Sequence, residues 1–376
     1  MNFKIFNIMW NLIVKTAVIT GITGQDGPYL AKLLLENGYR VYGTYRRSSI
    51  LNFWRLEYLG VLGHERLHLV GHDLIDPGGA IRLLDKCQPE EVYNLGAQTF
   101  VGSSFDQPTQ TAEITGLGPV HMLEAIRTVN RDIRFYQASS AEMFGKVQAT
   151  PQNEQTPFYP RSPYGVSKLF AHWMTINYRE SYGIFAGIGI LFNHESPLRG
   201  EEFVTRKITT TVAAIARGAP VELTLGNLDA RRDWGYAGDY VRAIWAILQA
   251  KEPDTFVIAT AKTASVRDFA SLAFELAGMP LEWMGSGEEE RGCCRKTGRV
   301  LVRVDPALRR PAEVDILLGD ATKAERILGW RHTTSMHELC SIMLGADVER
   351  ERRAHRQRQD IISEQSDAGL LGGCLV

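Results

Sequence analysis

A short run of strand-forming residues, Ala17-Val18-Ile19-Thr20, breaks into Gly21-Ile22-Thr23-Gly24-Gln25-Asp26-Gly27 and passes at once into a segment whose Leu30, Leu33 and Leu34 share one helical face. Few local patterns restrict a fold so tightly. Glycines at a strand-to-helix turn let the backbone approach a bound group, while the first N–H groups of the helix and its dipole favour a diphosphate. The spacing Gly-x-x-Gly-x-x-Gly differs from the commoner Gly-x-Gly-x-x-Gly. The strand before it and the helix after it, closed by Gly38, nevertheless predict a dinucleotide site.

The same alternation continues downstream. Strands are expected over 39–45, 67–70, 91–98, 133–138, 185–192 and 255–259, with helices over 78–88, 109–129 and 238–249 and one carrying Tyr164 and Lys168 on to about Tyr182. This predicts an α/β fold with a doubly wound parallel sheet of Rossmann type, whose ligands lie at the carboxyl edge. Residues 15–190 are read as the dinucleotide-binding domain, with a return at 236–260, and 191–345 as a smaller, discontinuous α/β substrate domain. Residues 1–14 form an extension, and 346–376 a charged, flexible tail. Ser265 and Asp268 stand three apart, in the spacing of a helix capping box.

The second strand ends in Arg46 and Arg47, where a protein selecting NAD would carry an acid for the adenosine ribose. Guanidinium groups pair with a 2′-phosphate that a carboxylate would repel, so the cofactor is read as NADP. A solvated basic pair is the alternative. Asp73 and Leu74 follow the third strand at a position suited to an adenine contact.

Chemistry is expected between Gln137 and Lys168. Ser140 and Glu142 stand at the end of an apolar strand, while Tyr164 and Lys168 are four apart and therefore share a helix face. Free tyrosine titrates near ~10, and a neighbouring ammonium favours its phenolate. Further on, Asn193, His194, Arg199, Arg206, Lys207, Arg232, Arg310 and Glu313 gather polar and charged groups near turns. The basic ones are candidates for a substrate diphosphate.

Composition excludes several classes. A formal net charge of -1 gives no general attraction to nucleic acid or an anionic membrane. Five cysteines lack metal-ligand spacing and suit a reducing compartment, so no metal is expected and the cytoplasm is the default. The apolar stretch at the amino terminus lacks a small-residue cleavage site and runs straight into the first strand.

With these residues assembled, the chain resembles the extended short-chain dehydrogenase/reductases and, within them, the GDP-mannose 4,6-dehydratase family. The resemblance runs from about Lys15 to Met343 through TGITGQDG, YRRSS, EVYNLGAQ, FYQASSAEMFG, TPFYPRSPYGVSK, GILFNHESPLRGEEFVTRKI, RDWG and RRPAEV. It implies redox-neutral dehydration of a GDP-sugar, with Ser140, Glu142, Tyr164 and Lys168 as the catalytic group. It implies NADP contacts at Gly21, Gly24, Gln25, Asp26, Gly27, Arg46, Asp73, Leu74, Leu95, Ala97, Lys168, His194 and Arg199, and GDP-sugar contacts at Asn193, Lys207, Arg232, Arg310 and Glu313. It also implies a homotetramer or dimer with the Arg46-Arg47 loop near a subunit contact. His72 stands where the family usually has Gly, and Ala141 where related dTDP-glucose dehydratases place an Asp. The alternatives are a GDP-manno-heptose dehydratase, a 4-reductase, an epimerase on the same fold, or a catalytically idle NADP-binding scaffold.

Overall fold

The computed structural model describes residues 14–308, 312, 314 and 316–371. They fall into two compact units. The first takes the described residues of 1–198, 230–264 and 310–334. Its main elements are β1 (Thr16–Thr20), α1 (Asp26–Glu36), β2 (Arg40–Tyr45), β3 (Leu67–Gly71), α2 (Pro77–Cys87), β4 (Glu91–Asn94), α3 (Gly118–Val129), β5 (Arg134–Ser140), α4 (Pro163–Tyr182), β6 (Ala186–Leu191), β7 (Asn193–Glu195), β8 (Trp234–Tyr236), α5 (Ala237–Gln249) and β9 (Thr255–Ile258).

Seven of these strands form one parallel sheet in the order β9-β6-β5-β4-β1-β2-β3. Strands β1, β4, β6 and β9 are buried along their whole length; β1, β6 and β9 accordingly read as mainly apolar runs, whereas β4 buries the polar Glu91 and Asn94 at its ends. Alternation sends Ile19 toward Leu30 and Leu34 of α1 and Ile244 of α5, whereas Val18 faces Leu84 of α2 and Met122 and Ile126 of α3. Each such side chain contributes roughly 1.5–3 kcal/mol by leaving water. Strand order reverses on either side of β1, so a crevice opens at the carboxyl ends of β1 and β4, where ligands of doubly wound sheets bind.

The helix expected over 109–129 is interrupted. A π-helical turn, Ala112–Leu117, separates Pro108–Thr111 from α3. Within it the Thr115 hydroxyl accepts from the Gln98 amide at 3.0 Å, tying the segment after β4 to the helix. Such turns are common at functional sites.

The second unit takes the described residues of 199–229, 265–309 and 335–376. It joins the helices Val204–Ala216, Val266–Leu276 and Met336–Leu371 to a four-stranded sheet ordered Leu281–Met284, Arg291–Cys294, Val300–Val304, Leu223–Leu225. Ser265 and Asp268 form the capping box their spacing predicts. Most of the tail read as charged and flexible falls within the helix Met336–Leu371. Asp347, in the first third of this helix, is buried and receives Arg206 at 2.8 Å, Thr209 at 2.6 Å and Arg350 at 2.7 Å. A buried carboxylate with those partners fixes the helix, because releasing it would strand Arg206 in the interior.

Candidate active site

Strand β5 runs directly into a 3-10 turn, Ala141–Met143, capped by the Ser140 hydroxyl, which accepts from the Glu142 amide at 3.2 Å. Glu142 is buried. The segment beyond it is laced to the residues before α4: the Tyr159 amide donates to Met143 O at 3.1 Å and the Lys146 amide to Tyr159 O at 2.9 Å. Helix α4 then starts on Ser162, whose hydroxyl accepts from Gly165 at 3.0 Å, with Pro163 in the first turn. At Gly165 a Cβ would lie 2.8 Å from the Glu142 carbonyl, so only glycine lets the helix approach this closely. Tyr164 and Glu142 are thereby drawn into one buried neighbourhood.

One turn along, Lys168 lies inside the helix–sheet interface, its Nζ donating to Ala138 O at 2.7 Å and standing 5.8 Å from the centre of the Tyr164 ring. Burial pulls the Lys168 ammonium down to about 8, opposed by the negative charge of Asp26. His172, one turn further, exchanges a hydrogen bond with Ser139 at 3.1 Å, and burial depresses it to about 4, so it is neutral at ordinary pH.

Three residues that the sequence reading left out support this group from below. The Thr20 hydroxyl donates to Asn94 at 2.7 Å, Asn94 donates to Gln137 at 2.9 Å, and Gln137 donates to Ala138 O at 3.2 Å, the carbonyl that also receives Lys168. Thr20 additionally accepts from the Leu95 and Gly96 amides at 3.1 and 3.0 Å. The signal was a buried-strand polar residue at the end of β1 and of β4 and in the middle of β5, and strand register places the three side by side. Asn94→Leu is expected to leave two buried polar groups short of a partner and to cost about 2–4 kcal/mol. Urea denaturation measures this; an unchanged midpoint would mean the chain of hydrogen bonds has no such weight.

At the glycine turn, Gly21 has φ +71° and a Cβ there would lie 2.8 Å from the Gly96 Cα, so β1 and β4 meet as bare backbone where a cofactor would cross. The side chains that would cap α1 are turned elsewhere. Gln25 donates to His194 O at 2.9 Å and accepts from Ser196 at 2.9 Å, and Asp26 meets His194 Nε2 at 2.8 Å. The helix start is left with the backbone N–H groups that bind a diphosphate.

Arg46 and Arg47 line a cavity of about 790 Å³ together with His72, Asp73, Arg82 and Lys86. Leu74, buried, presses against Gly96 and Gly118, and its carbonyl bonds His121 at 2.7 Å. Leu95 and Ala97 follow β4 and are partly buried. Asn193 and His194 lie on β7, paired with Trp234 and Gly235 of β8, and the buried Arg232 donates to Arg231 O at 2.9 Å. Arg199 and Lys207 belong to the second unit, where Arg199 lies 3.6 Å from the centre of the Phe203 ring and burial lowers Lys207, with Asp305 opposing. Arg206, also read as a diphosphate candidate, is held by Asp347 within that unit. Arg310, Glu313 and residues 1–13 lie outside the described residues. Among the described residues no cluster of His, Cys, Asp and Glu could hold a metal, and no helix is long and apolar enough to cross a membrane.

The sheet order, the glycine turn and the Ser140, Tyr164, Lys168 grouping define a Rossmann-type enzyme of the extended short-chain dehydrogenase/reductase class. Solved structures share the fold. A dTDP-glucose 4,6-dehydratase from Bacillus anthracis in complex with NAD superposes with a TM-score of 0.74 at 16% identity, over 90% of this chain and 98% of that one. RMD from Pseudomonas aeruginosa complexed with NADPH gives 0.70 at 22%, over 90% and 99%. Sequence comparison is more specific. The profile of the family described as GDP-mannose 4,6 dehydratase matches residues 18–343. The GDP-mannose 4,6-dehydratase of Sinorhizobium fredii is 52% identical over 339 residues, 89% of this chain and 97% of that protein, and the human GDP-mannose 4,6 dehydratase is 50% identical over 341 residues, 89% and 91%. The chain belongs to the GDP-mannose 4,6-dehydratase family.

Proposed function

We propose that this chain is a lyase that removes water from GDP-D-mannose to give GDP-4-dehydro-6-deoxy-D-mannose, with NADP as a resident cofactor that returns unchanged. The observation that carries the reading is the Glu142 turn held against the helix that bears Tyr164 and Lys168. Simple alcohol oxidation needs a phenol and an amine; elimination needs an additional acid–base group beside them.

The glycine turn, the open start of α1 and the cationic cavity at Arg46 fit a phosphorylated dinucleotide, with Gly24, Gly27, Asp73, Leu74, Leu95, Ala97, His194 and Arg199 as further contacts. When bound, the cofactor supplies the oxidising power that makes C4 of the sugar a ketone and restores the hydrogen at C6. Tyr164, as phenolate, takes the proton of the 4-hydroxyl, and Ser140 orients that hydroxyl. Lowering a phenol by ~3 units requires roughly 4 kcal/mol of preferential phenolate stabilisation, to which the Lys168 ammonium contributes. A ketone at C4 acidifies the C5 hydrogen, and Glu142 removes it. Because Ala141 has no acid to protonate the departing 6-hydroxyl, Glu142 passes the proton it took to that oxygen, and the proton Tyr164 took from the 4-hydroxyl balances the one that C5 regains when hydrogen returns to C6. Asn193, Lys207, Arg232, Arg310 and Glu313 are assigned to the GDP moiety.

A homotetramer or dimer in the cytoplasm completes the reading. Val166, Phe170 and Trp173 stand exposed on one face of α4 at helical spacing, a stripe suited to a second copy, with the Arg46-Arg47 loop near another contact. Phe170→Glu with Trp173→Glu is expected to lower the mass measured by light scattering; an unchanged mass excludes that face.

The activity is tested by incubating the protein with GDP-D-mannose without added reductant. The expected product is lighter by one water. Turnover only with added NADPH would indicate a reductase, and turnover only of the corresponding heptose would move the substrate to that sugar.

A further inference from the structure

The protons around His194 can be counted. Its Nδ1 lies 2.8 Å from the Phe192 carbonyl, which can only accept, so Nδ1 carries hydrogen. Its Nε2 lies 2.8 Å from Asp26 Oδ2. Either Nε2 is protonated and faces a carboxylate, or Asp26 is protonated and donates to a neutral ring. In both cases the pair holds one proton more than a neutral imidazole beside an ionised acid, and its net charge is zero. Their side chains are only 11% and 19% exposed, so little water screens that charge.

The location gives the count its consequence. Asp26 is the first residue of α1, the helix whose N–H groups face the diphosphate in the reading above, and an uncompensated carboxylate there would repel the ligand the turn is shaped for. Resting on that reading, we propose that His194 and Asp26 form a proton-loaded positioning pair whose shared proton NADP binding requires. Loss of the proton as pH rises leaves a net negative charge beside the phosphates and weakens their binding. The same contact, with Gln25 and Ser196, fastens β7 to the glycine turn.

Other groups face the pair. Tyr240 of α5 stacks on the His194 ring with centroids 4.6 Å apart, and burial holds its phenol well above the ordinary range, as it does Tyr136 of β5, which senses Asp26. Asp233, Asp239 and the buried Glu195 act on Tyr240. Lys168 of α4 is coupled to Asp26 and loses its own proton near about 8. Variants therefore separate the contributions.

NADP+ affinity is measured by calorimetric titration from about pH 6 to about pH 9, for wild type, Asp26→Asn, His194→Gln, their double variant, Lys168→Met and Asp26→Asn with Lys168→Met. Lys168→Met is expected to lose affinity by about tenfold per pH unit above the transition, with uptake of one proton on binding, and wild type to fall at least as steeply. Asp26→Asn, of the same shape, should keep only the limb that Lys168 contributes near about 8, and Asp26→Asn combined with Lys168→Met should give a flat profile. His194→Gln should bind weakly at every pH and regain affinity when Asp26→Asn is added. A profile in Asp26→Asn parallel to wild type, or an Asp26→Asn, His194→Gln double variant no better than His194→Gln, would overturn the proposal. Wild type binding neither NADP+ nor NAD+ at any pH would remove the cofactor reading and the pair's role with it, whereas binding with a flat profile removes only the latter.

Discussion

Glu142→Gln is expected to lower turnover of GDP-D-mannose by about 10³–10⁴-fold while leaving the fold intact, the upper range for losing a group that moves protons in the transition state. The substitution keeps the side-chain shape and the backbone N–H that binds the Ser140 hydroxyl, so the 3-10 turn is retained. What disappears is the proposed base for the C5 hydrogen and, with Ala141 unable to replace it, the proposed source of the proton for the departing hydroxyl. Deuterium incorporation from solvent at C5, followed by mass, measures the first function directly. Exchange at the wild-type rate in Glu142→Gln would take the C5 proton away from this residue. Tests with Asp are less informative, because a shorter acid retains the chemistry.

The second large effect concerns Tyr164 and Lys168. Tyr164→Phe retains the buried ring and removes the phenol, and turnover should fall by about 10³-fold or more, since the proposed base for the 4-hydroxyl proton is gone. Lys168→Met should lose about 10²–10³-fold and also change the pH profile. The sign follows from the burial that draws the ammonium down to about 8: the charge is present below that value and lost above it. Wild-type activity supported by the ammonium therefore declines as pH rises through about 8, and this limb should be missing in Lys168→Met. An identical limb in the variant would place the titration elsewhere.

Much of this site was legible because it is local. The strand, glycine turn and helix at 16–36 are adjacent in sequence, and four residues separate Tyr164 from Lys168, so helix periodicity alone puts them on one face. Glu142 was legible for the same reason: it lies two residues beyond Ser140 at the end of an apolar strand. Arg206 shows the converse. Beside Lys207 it read as one more phosphate ligand, but its partner, Asp347, stands 141 positions away in a stretch whose composition suggested a flexible tail. Composition reports solubility, whereas a single buried ion pair decides whether such a stretch is anchored. The π turn after Thr111 was equally hidden, since its cause is the contact between Thr115 and Gln98 across two elements.

By itself the sequence determined the alternating parallel architecture and the glycine turn, and it drew together the four side chains proposed to react, because periodicity and short spacing are properties of neighbouring residues. Tertiary structure alone decided which polar groups support them. The Thr20, Asn94 and Gln137 side chains became one hydrogen-bonded chain only when β1, β4 and β5 were set in register, and Asp26 met His194 only when β7 was brought to the start of α1. A buried polar atom needs a partner, and the fold determines which distant residue supplies it.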